Sequence, residues 1–119
     1  MTTLRAALIQ TRTPASQGAA LEQIVPLIRQ AAEKGAQLIV TPEGSNLLQR
    51  DRALMLEAIK PLEQDPFVHG IRKLAKELRV WILIGSALVA RGISAAQTSG
   101  ERFCRFSWCF CLHSLCTAC

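Results

Sequence analysis

The chain contains 119 residues, a length that suits one domain with one hydrophobic core. Hydrophobic residues make up 50% of it and charged residues 19%, a balance that excludes wholesale disorder. No apolar run reaches the ~18 residues that a membrane span needs, and the first residues lack a signal-peptide pattern. We therefore expect a cytoplasmic protein that does not associate with membranes.

The formal net charge is +5, from 14 basic and 9 acidic side chains. Several of the basic residues cluster on one face of a predicted helix, as in some nucleic-acid-binding proteins: Arg72, Lys73, Lys76 and Arg79. No aromatic residue or glycine is interleaved with them, and Glu77 dilutes their charge. A solvated helix face is the better interpretation, so we expect no nucleic-acid partner.

The first third of the chain reads as strand, helix, strand. Residues 4–10, LRAALIQ, form a short apolar run typical of a buried strand. Apolar residues then recur at helical spacing up to Gly35, which is placed to end a helix, although Pro26 inside it should introduce a kink. The run LIVT at residues 38–41 predicts a parallel strand covered on both faces. Glu43 follows directly, at the carboxyl end of this strand, where α/β sheets gather their sites.

The next fifty residues continue the α/β pattern. Residues 46–60 have helical periodicity, and Asp-Pro at positions 65–66 is a typical helix start. The apolar run VWILI at residues 80–84 predicts a third strand, which residues 85–89 extend. The predicted order is therefore β-α-β-α-α-β, an α/β fold with helices packed on at least one face of a sheet.

These segments resemble the N-terminal portion of the carbon–nitrogen hydrolase (nitrilase) superfamily. The resemblance covers about residues 3–91 and is most specific in GAQLIVTPE, where a helix-ending glycine precedes an apolar strand and Pro-Glu. It implies a nitrilase-like α-β-β-α sandwich, of which this chain would hold an incomplete part. It also implies hydrolysis of a small-molecule amide or nitrile, no cofactor, no metal, and a homo-oligomer.

The resemblance carries one catalytic residue onto this chain. Family members use a Glu–Lys–Cys triad, with glutamate as general base, cysteine as nucleophile and lysine stabilising the tetrahedral intermediate. Glu43 matches the base. Without the family resemblance, Glu43 would be interpreted as a surface glutamate that caps the next segment. For Asn46 two roles stay open, shaping the pocket mouth and capping the next helix.

The lysine and cysteine of the triad have no match. No lysine follows Lys76, and the family lysine lies beyond a strand like VWILI. The cysteines all lie in the last sixteen residues, without the neighbours of the family nucleophile: Cys104, Cys109, Cys111, Cys116 and Cys119. We therefore expect an inactive chain, the truncated or frame-shifted product of a carbon–nitrogen hydrolase gene.

Composition changes near Arg91, and this divides the chain into residues 3–91 and a Cys-rich tail of residues 92–119. The tail has three functional interpretations: a metal site that includes His113, membrane attachment, or a disulfide scaffold. Its cysteine spacing fits none of them well, and a peptide without selected function is preferred. The alternative to a hydrolase is a non-catalytic α/β interaction module with a metal-binding Cys/His tail.

Overall fold

The computed structural model describes residues 2–90 and the backbone of a short strand at residues 106–107. Its elements alternate as predicted, with one 3₁₀ turn before the last helix: β1 (Ala6–Leu8), α1 (Gln17–Glu33), β2 (Leu38–Thr41), α2 (Arg52–Ala58), the 3₁₀ turn (Leu62–Gln64), α3 (Pro66–Leu78), β3 (Trp81–Ile84), β4 (Ala87–Leu88) and β5 (Phe106–Ser107). The predicted order β-α-β-α-α-β is therefore confirmed.

Within residues 2–90 the sheet contains three parallel strands in the order β1-β2-β3. Strand β2 lies in the middle, with Ile39 opposite Ala7 on one side and Ile82 on the other. Strand β4 pairs with β5 antiparallel, outside this sheet. The prediction that residues 85–89 extend the third strand is wrong, because β3 ends at Ile84 and the chain turns at Gly85 and Ser86 before β4.

The core lies between one face of the sheet and the helices α1 and α3. Ile24 and Ile28 of α1 and Phe67 and Ile71 of α3 are almost completely buried there. Helix α1 continues through Pro26, since the apolar stripe on both sides of the proline is buried. Gly35 ends the helix with a φ of 84°, a conformation that favours glycine, as the sequence predicted.

The opposite face of the sheet carries apolar side chains without a second layer among residues 2–90. Leu38 and Val40 are half-buried, and Leu8 is 77% exposed. Within residues 2–90, β2 is therefore buried on the helix face and half-buried on the other, and full coverage of both faces stays a prediction. No helix in this part has the length and apolar character to cross a membrane.

The helix predicted over residues 46–60 is shorter than expected. Residues 46–51 form an irregular segment, and α2 begins only after Asp51, whose carboxylate accepts hydrogen bonds from Ala53 N and Leu54 N. The first two residues of the predicted helix, Asn46 and Leu47, are instead fully buried in the protein interior. Leu47 packs in a second, smaller cluster with Ile59 and Leu88. Burial of this segment thus overrides its helical periodicity.

Candidate active site

The candidate site is the turn that follows β2, the middle strand of the sheet. Thr41 ends the strand and is buried, and Pro42 cannot donate to a further ladder. Glu43 comes next, with an exposed side chain in a hydrogen-bonded turn. The sequence placed Glu43 at the carboxyl end of a parallel strand, and the structure places it there.

The backbone of this turn is held by Ser86, the residue that follows the end of β3 by two positions. Gly44 adopts a φ of 61°, and its N–H donates to Ser86 Oγ over 2.7 Å. Ser45 N donates to the Ser86 carbonyl oxygen over 3.0 Å. Ser86 therefore fixes the two residues that follow Glu43 through both its side chain and its backbone.

A second set of contacts joins Ser45 to the residues at the start of the turn. The Ser45 hydroxyl lies 2.8 Å from Thr41 Oγ1 and also contacts the Pro42 carbonyl oxygen. Ser45 and Thr41 are both almost completely buried. Since buried hydroxyls need partners, this pair satisfies both side chains and tightens the turn that begins at Pro42.

Gly85 allows the two strand ends to approach each other. Its N–H donates to Thr41 O over 3.1 Å. A Cβ at position 85 would lie 2.6 Å from Thr41 O and 2.7 Å from the Pro42 carbonyl carbon, both backbone atoms. No side chain fits in this space, so glycine at position 85 permits the contact that supports the Glu43 turn.

Asn46 ties the turn to more distant elements. Its Nδ2 donates to Asp65 Oδ2 over 3.0 Å and to Leu88 O over 2.7 Å, and its Oδ1 accepts from Leu88 N over 2.8 Å. Asn46 is completely buried and uses both ends of its amide. The helix-capping role considered for Asn46 is wrong, because Asp51 caps α2 and Asn46 caps nothing. Its role at a pocket mouth stays a prediction.

Asp65 links the same network to α3. Its Oδ1 accepts from Val68 N over 2.9 Å, which caps the helix as the Asp-Pro pair predicted, while its Oδ2 accepts from Asn46. Asp65 is fully buried. A single carboxylate thus connects the start of α3 with the segment that follows Glu43.

The carboxylate of Glu43 itself is left available. Among residues 2–90 it makes no hydrogen bond and no ion pair. No group of three or more metal-ligating side chains occurs in this part of the chain. A groove of about 380 Å³ is lined by β1 and α1 rather than by Glu43. The structure therefore presents the Glu43 carboxylate on a turn that is held by hydrogen bonds to Ser86.

The other residues considered in the sequence fall into two groups. The basic cluster at α3 is exposed, as expected for a helix surface. The tail cysteines and His113, considered as nucleophile, metal ligands or disulfide partners, lie outside the described residues. Residues 2–90 contain no cysteine.

Sequence reasoning missed Ser86, Gly85 and the buried role of Asn46. Gly-Ser directly after the third apolar run was the available signal, since a glycine at a strand end indicates a close backbone approach. No local pattern identified the bond between Asn46 and Asp65, because it joins residues nineteen positions apart.

Comparison with known proteins agrees with this architecture. The sequence model of the carbon–nitrogen hydrolase family matches residues 5–104. The crystal structure of the C. elegans NitFhit protein is similar in fold, with a TM-score of 0.64 and 16% sequence identity over 72% of this chain. The chain spans only 21% of the NitFhit chain, and no curated protein sequence matches it. The family match covers most of the 119 residues, and the chain therefore belongs to the carbon–nitrogen hydrolase family.

Proposed function

We propose that this chain carries the general-base glutamate of a carbon–nitrogen hydrolase site, and that Glu43 is that residue. The observation that carries the proposal is the position of Glu43, an exposed carboxylate at the carboxyl end of the middle strand. The contacts of Ser86 with the backbone of Gly44 and Ser45 support it, because a catalytic base needs a fixed position.

In the proposed reaction the substrate is a small amide or nitrile. The carboxylate of Glu43 would accept the proton of a cysteine thiol as the sulfur attacks the substrate carbon. This assistance matters because a free thiol, with a pKa near 8.5, is only slightly ionised at neutral pH. A lysine would stabilise the charge that develops on the attacked group. Neither the thiol nor the lysine is assigned to a residue of this chain.

We further propose that the 119-residue chain is inactive by itself, as a frame-shifted product would be, because the lysine and cysteine of the triad have no match in its sequence. Members of a catalytic triad act together, and loss of one commonly removes most of their joint contribution. The change in composition near Arg91 supports a boundary between residues 3–91 and the tail, although the family match reaches residue 104. The cytoplasmic location stays a prediction.

Hydrolysis assays on the purified chain test the proposal that it is inactive by itself. Ammonia release from a panel of small amides and nitriles should not exceed that of Glu43→Gln. Glu57→Gln, which changes an exposed acid on α2, serves as the matched control. Turnover that Glu43→Gln abolishes and Glu57→Gln leaves intact would show that the chain is active and would contradict the inactivity.

The coding DNA gives a separate test of the boundary. Translation of the other two reading frames downstream of the Arg91 codon should reveal a segment with the family lysine or the family cysteine. If no frame contains either, the frame-shift origin is wrong, whereas the role of Glu43 is unaffected.

A second candidate function is that of a non-catalytic interaction module, and the position of β1 at the edge of the sheet formed by residues 2–90 supports it. This module would also bind a metal through its Cys/His tail. Metal analysis of the dialysed protein separates the two functions, since stoichiometric zinc favours the interaction module.

A further inference from the structure

Two serines hold the backbone on either side of Glu43. The direction in which a side chain leaves the backbone is set by two planar peptide groups, the one before the residue and the one after it. For Glu43 these are the peptide shared with Pro42 and the peptide shared with Gly44. Each of the two forms a hydrogen bond with the hydroxyl of a different buried serine, Ser45 in the first case and Ser86 in the second.

Ser45 holds the peptide that precedes Glu43. Its hydroxyl contacts two oxygens, that of the Pro42 carbonyl and that of the Thr41 hydroxyl, the latter 2.8 Å away. A carbonyl oxygen can only accept a hydrogen bond, and a serine hydroxyl has one proton to donate. The Ser45 proton therefore goes to the Pro42 carbonyl, and Thr41 donates its own proton to Ser45 Oγ. This chain of two bonds fixes the orientation of the Pro42 carbonyl group.

Ser86 holds the peptide that follows Glu43, although it lies 42 positions beyond Gly44 in the chain. The Gly44 N–H donates to Ser86 Oγ over 2.7 Å, and the next N–H, that of Ser45, donates to the Ser86 carbonyl oxygen over 3.0 Å. Ser86 is almost completely buried, so water has little access to compete for the Gly44 N–H. The peptide between Glu43 and Gly44 is therefore held from a different strand end.

The side chain of Glu43 depends on this backbone for its direction. It is exposed, whereas Gly44 and Ser45 directly after it are buried. Among residues 2–90 its carboxylate has no hydrogen bond and no ion pair that could orient it. A general base has to lie within hydrogen-bond reach of the proton that it accepts. In this part of the chain, only the two held peptides set where the Glu43 carboxylate can reach.

We propose that Ser45 and Ser86 are positioning residues for Glu43, the first through the Pro42 carbonyl and the second through the Gly44 N–H. Neither serine forms a hydrogen bond with the Glu43 carboxylate, so both act by restricting the two backbone rotations that would swing it. The catalytic meaning of this inference rests on the role proposed for Glu43. The restriction itself is a property of the folded chain and can be measured without turnover.

Nuclear magnetic resonance relaxation of the isotope-labelled full chain tests the restriction, in reducing buffer because the chain contains five cysteines. In the wild type the backbone order parameters of the Glu43 and Gly44 amides should be about 0.85, the value of rigid backbone. Ser45→Ala should lower chiefly the order parameter of the Glu43 amide, and Ser86→Ala chiefly that of the Gly44 amide. In each case the affected amide should fall below about 0.6, the range of flexible backbone.

Amide hydrogen exchange separates positioning from a general loss of stability. Ser86→Ala should speed exchange of the Gly44 amide about tenfold relative to the Ile9 amide, because one hydrogen bond is lost at Gly44 only. The Ile9 amide, which donates to Val40 O within the sheet, reports the stability of the whole fold in the same sample. Ser86→Thr keeps the hydroxyl and should keep the slow exchange. Ser16→Ala removes the hydroxyl that caps α1 and should leave the ratio of the two rates unchanged.

Low order parameters at Glu43 and Gly44 in the wild type would overturn the proposal, and this measurement decides even where a serine variant fails to fold. Unchanged order parameters in Ser45→Ala and Ser86→Ala would overturn it as well, and so would an equal loosening in Ser16→Ala. None of these results bears on whether Glu43 is the base. Conversely, turnover that Glu43→Gln retains would reject the role of Glu43 as base and leave the restriction of its backbone standing.

Discussion

Replacing Asn46 with alanine removes the amide that joins the Glu43 turn to α3 and β4. Three groups lose their partner: Asp65 Oδ2, Leu88 O and Leu88 N. Asp65 is fully buried, and Leu88 is 7% exposed, so water does not readily replace the lost bonds. Each buried group left without a partner costs about 1–3 kcal/mol. Allowing for relaxation, we expect Asn46→Ala to lower the free energy of unfolding by about 3–5 kcal/mol.

That loss would be a large share of the total, because small domains are stable by only about 5–15 kcal/mol. Equilibrium denaturation in urea, followed by far-UV circular dichroism, measures it. Gln64→Ala is the matched control, since the Gln64 side chain is exposed and forms no hydrogen bond among residues 2–90. The control should change stability by less than about 0.5 kcal/mol. If Asn46→Ala lowered the free energy of unfolding by less than about 1 kcal/mol, with an unchanged slope of this free energy against urea concentration, the stabilising role of the Asn46 hydrogen bonds would be refuted.

The isosteric change Asn46→Asp adds a pH dependence with a defined sign. It places a carboxyl next to the Asp65 carboxylate in a buried site, and both conditions raise the pKa of the introduced group. The folded state then binds a proton more tightly than the unfolded state, so stability increases as the pH falls. The free energy of unfolding of Asn46→Asp should therefore fall furthest below that of the wild type at neutral pH, and the difference should shrink in acid. A difference that grows in acid would contradict this account.

Two further changes probe the turn and the helix pair. Gly85→Ala places a Cβ 2.6 Å from Thr41 O and should destabilise the fold by about 1–3 kcal/mol. A Cβ at Gly18 would meet nothing within 4 Å apart from its chain neighbours and the backbone of its own helix, so Gly18→Ala should stabilise the fold by up to about 1 kcal/mol. Equal effects of the two in thermal unfolding would rule out the steric argument. The hydrogen bond and the charge of Arg29 lower the pKa of Glu77. The stabilisation by this exposed pair should therefore be complete above the ordinary pKa of glutamate and disappear as the pH falls through the lowered value. Measuring the stability difference between wild type and Glu77→Gln against pH checks this, and a difference that grows in acid would exclude it.

The parts of the fold that could be predicted from the sequence are those set by local signals. Gly35, the apolar run before Pro42 and the Asp-Pro pair each determine a boundary through their own backbone chemistry, and the structure has all three boundaries. The position of Glu43 follows from them, because a parallel strand directs its carboxyl end to a known edge of the sheet.

The segment after Glu43 could not be predicted in the same way. Its leucines repeat at helical spacing, which favours a helix starting near Asn46, but burial of Asn46 and Leu47 wins over that local preference. The partners that compensate this burial are Asp65 and Leu88, and no short-range pattern indicates contacts over such separations. The geometry of the site therefore depends on tertiary contacts, even though local sequence signals predict the position of Glu43.

The two bonds of Asp65 restrict which residue can occupy that position. Serine and threonine are good helix caps, yet each has one side-chain oxygen, so Asp65→Ser would satisfy either Val68 N or Asn46, but not both. Asp65→Asn supplies two polar atoms, but it turns an NH2 group toward the Asn46 NH2, and two donors then face each other. Aspartate alone among the common capping residues offers two acceptors with the required separation. Several residues could cap α3 from position 65, but the additional bond to Asn46 restricts this position to aspartate.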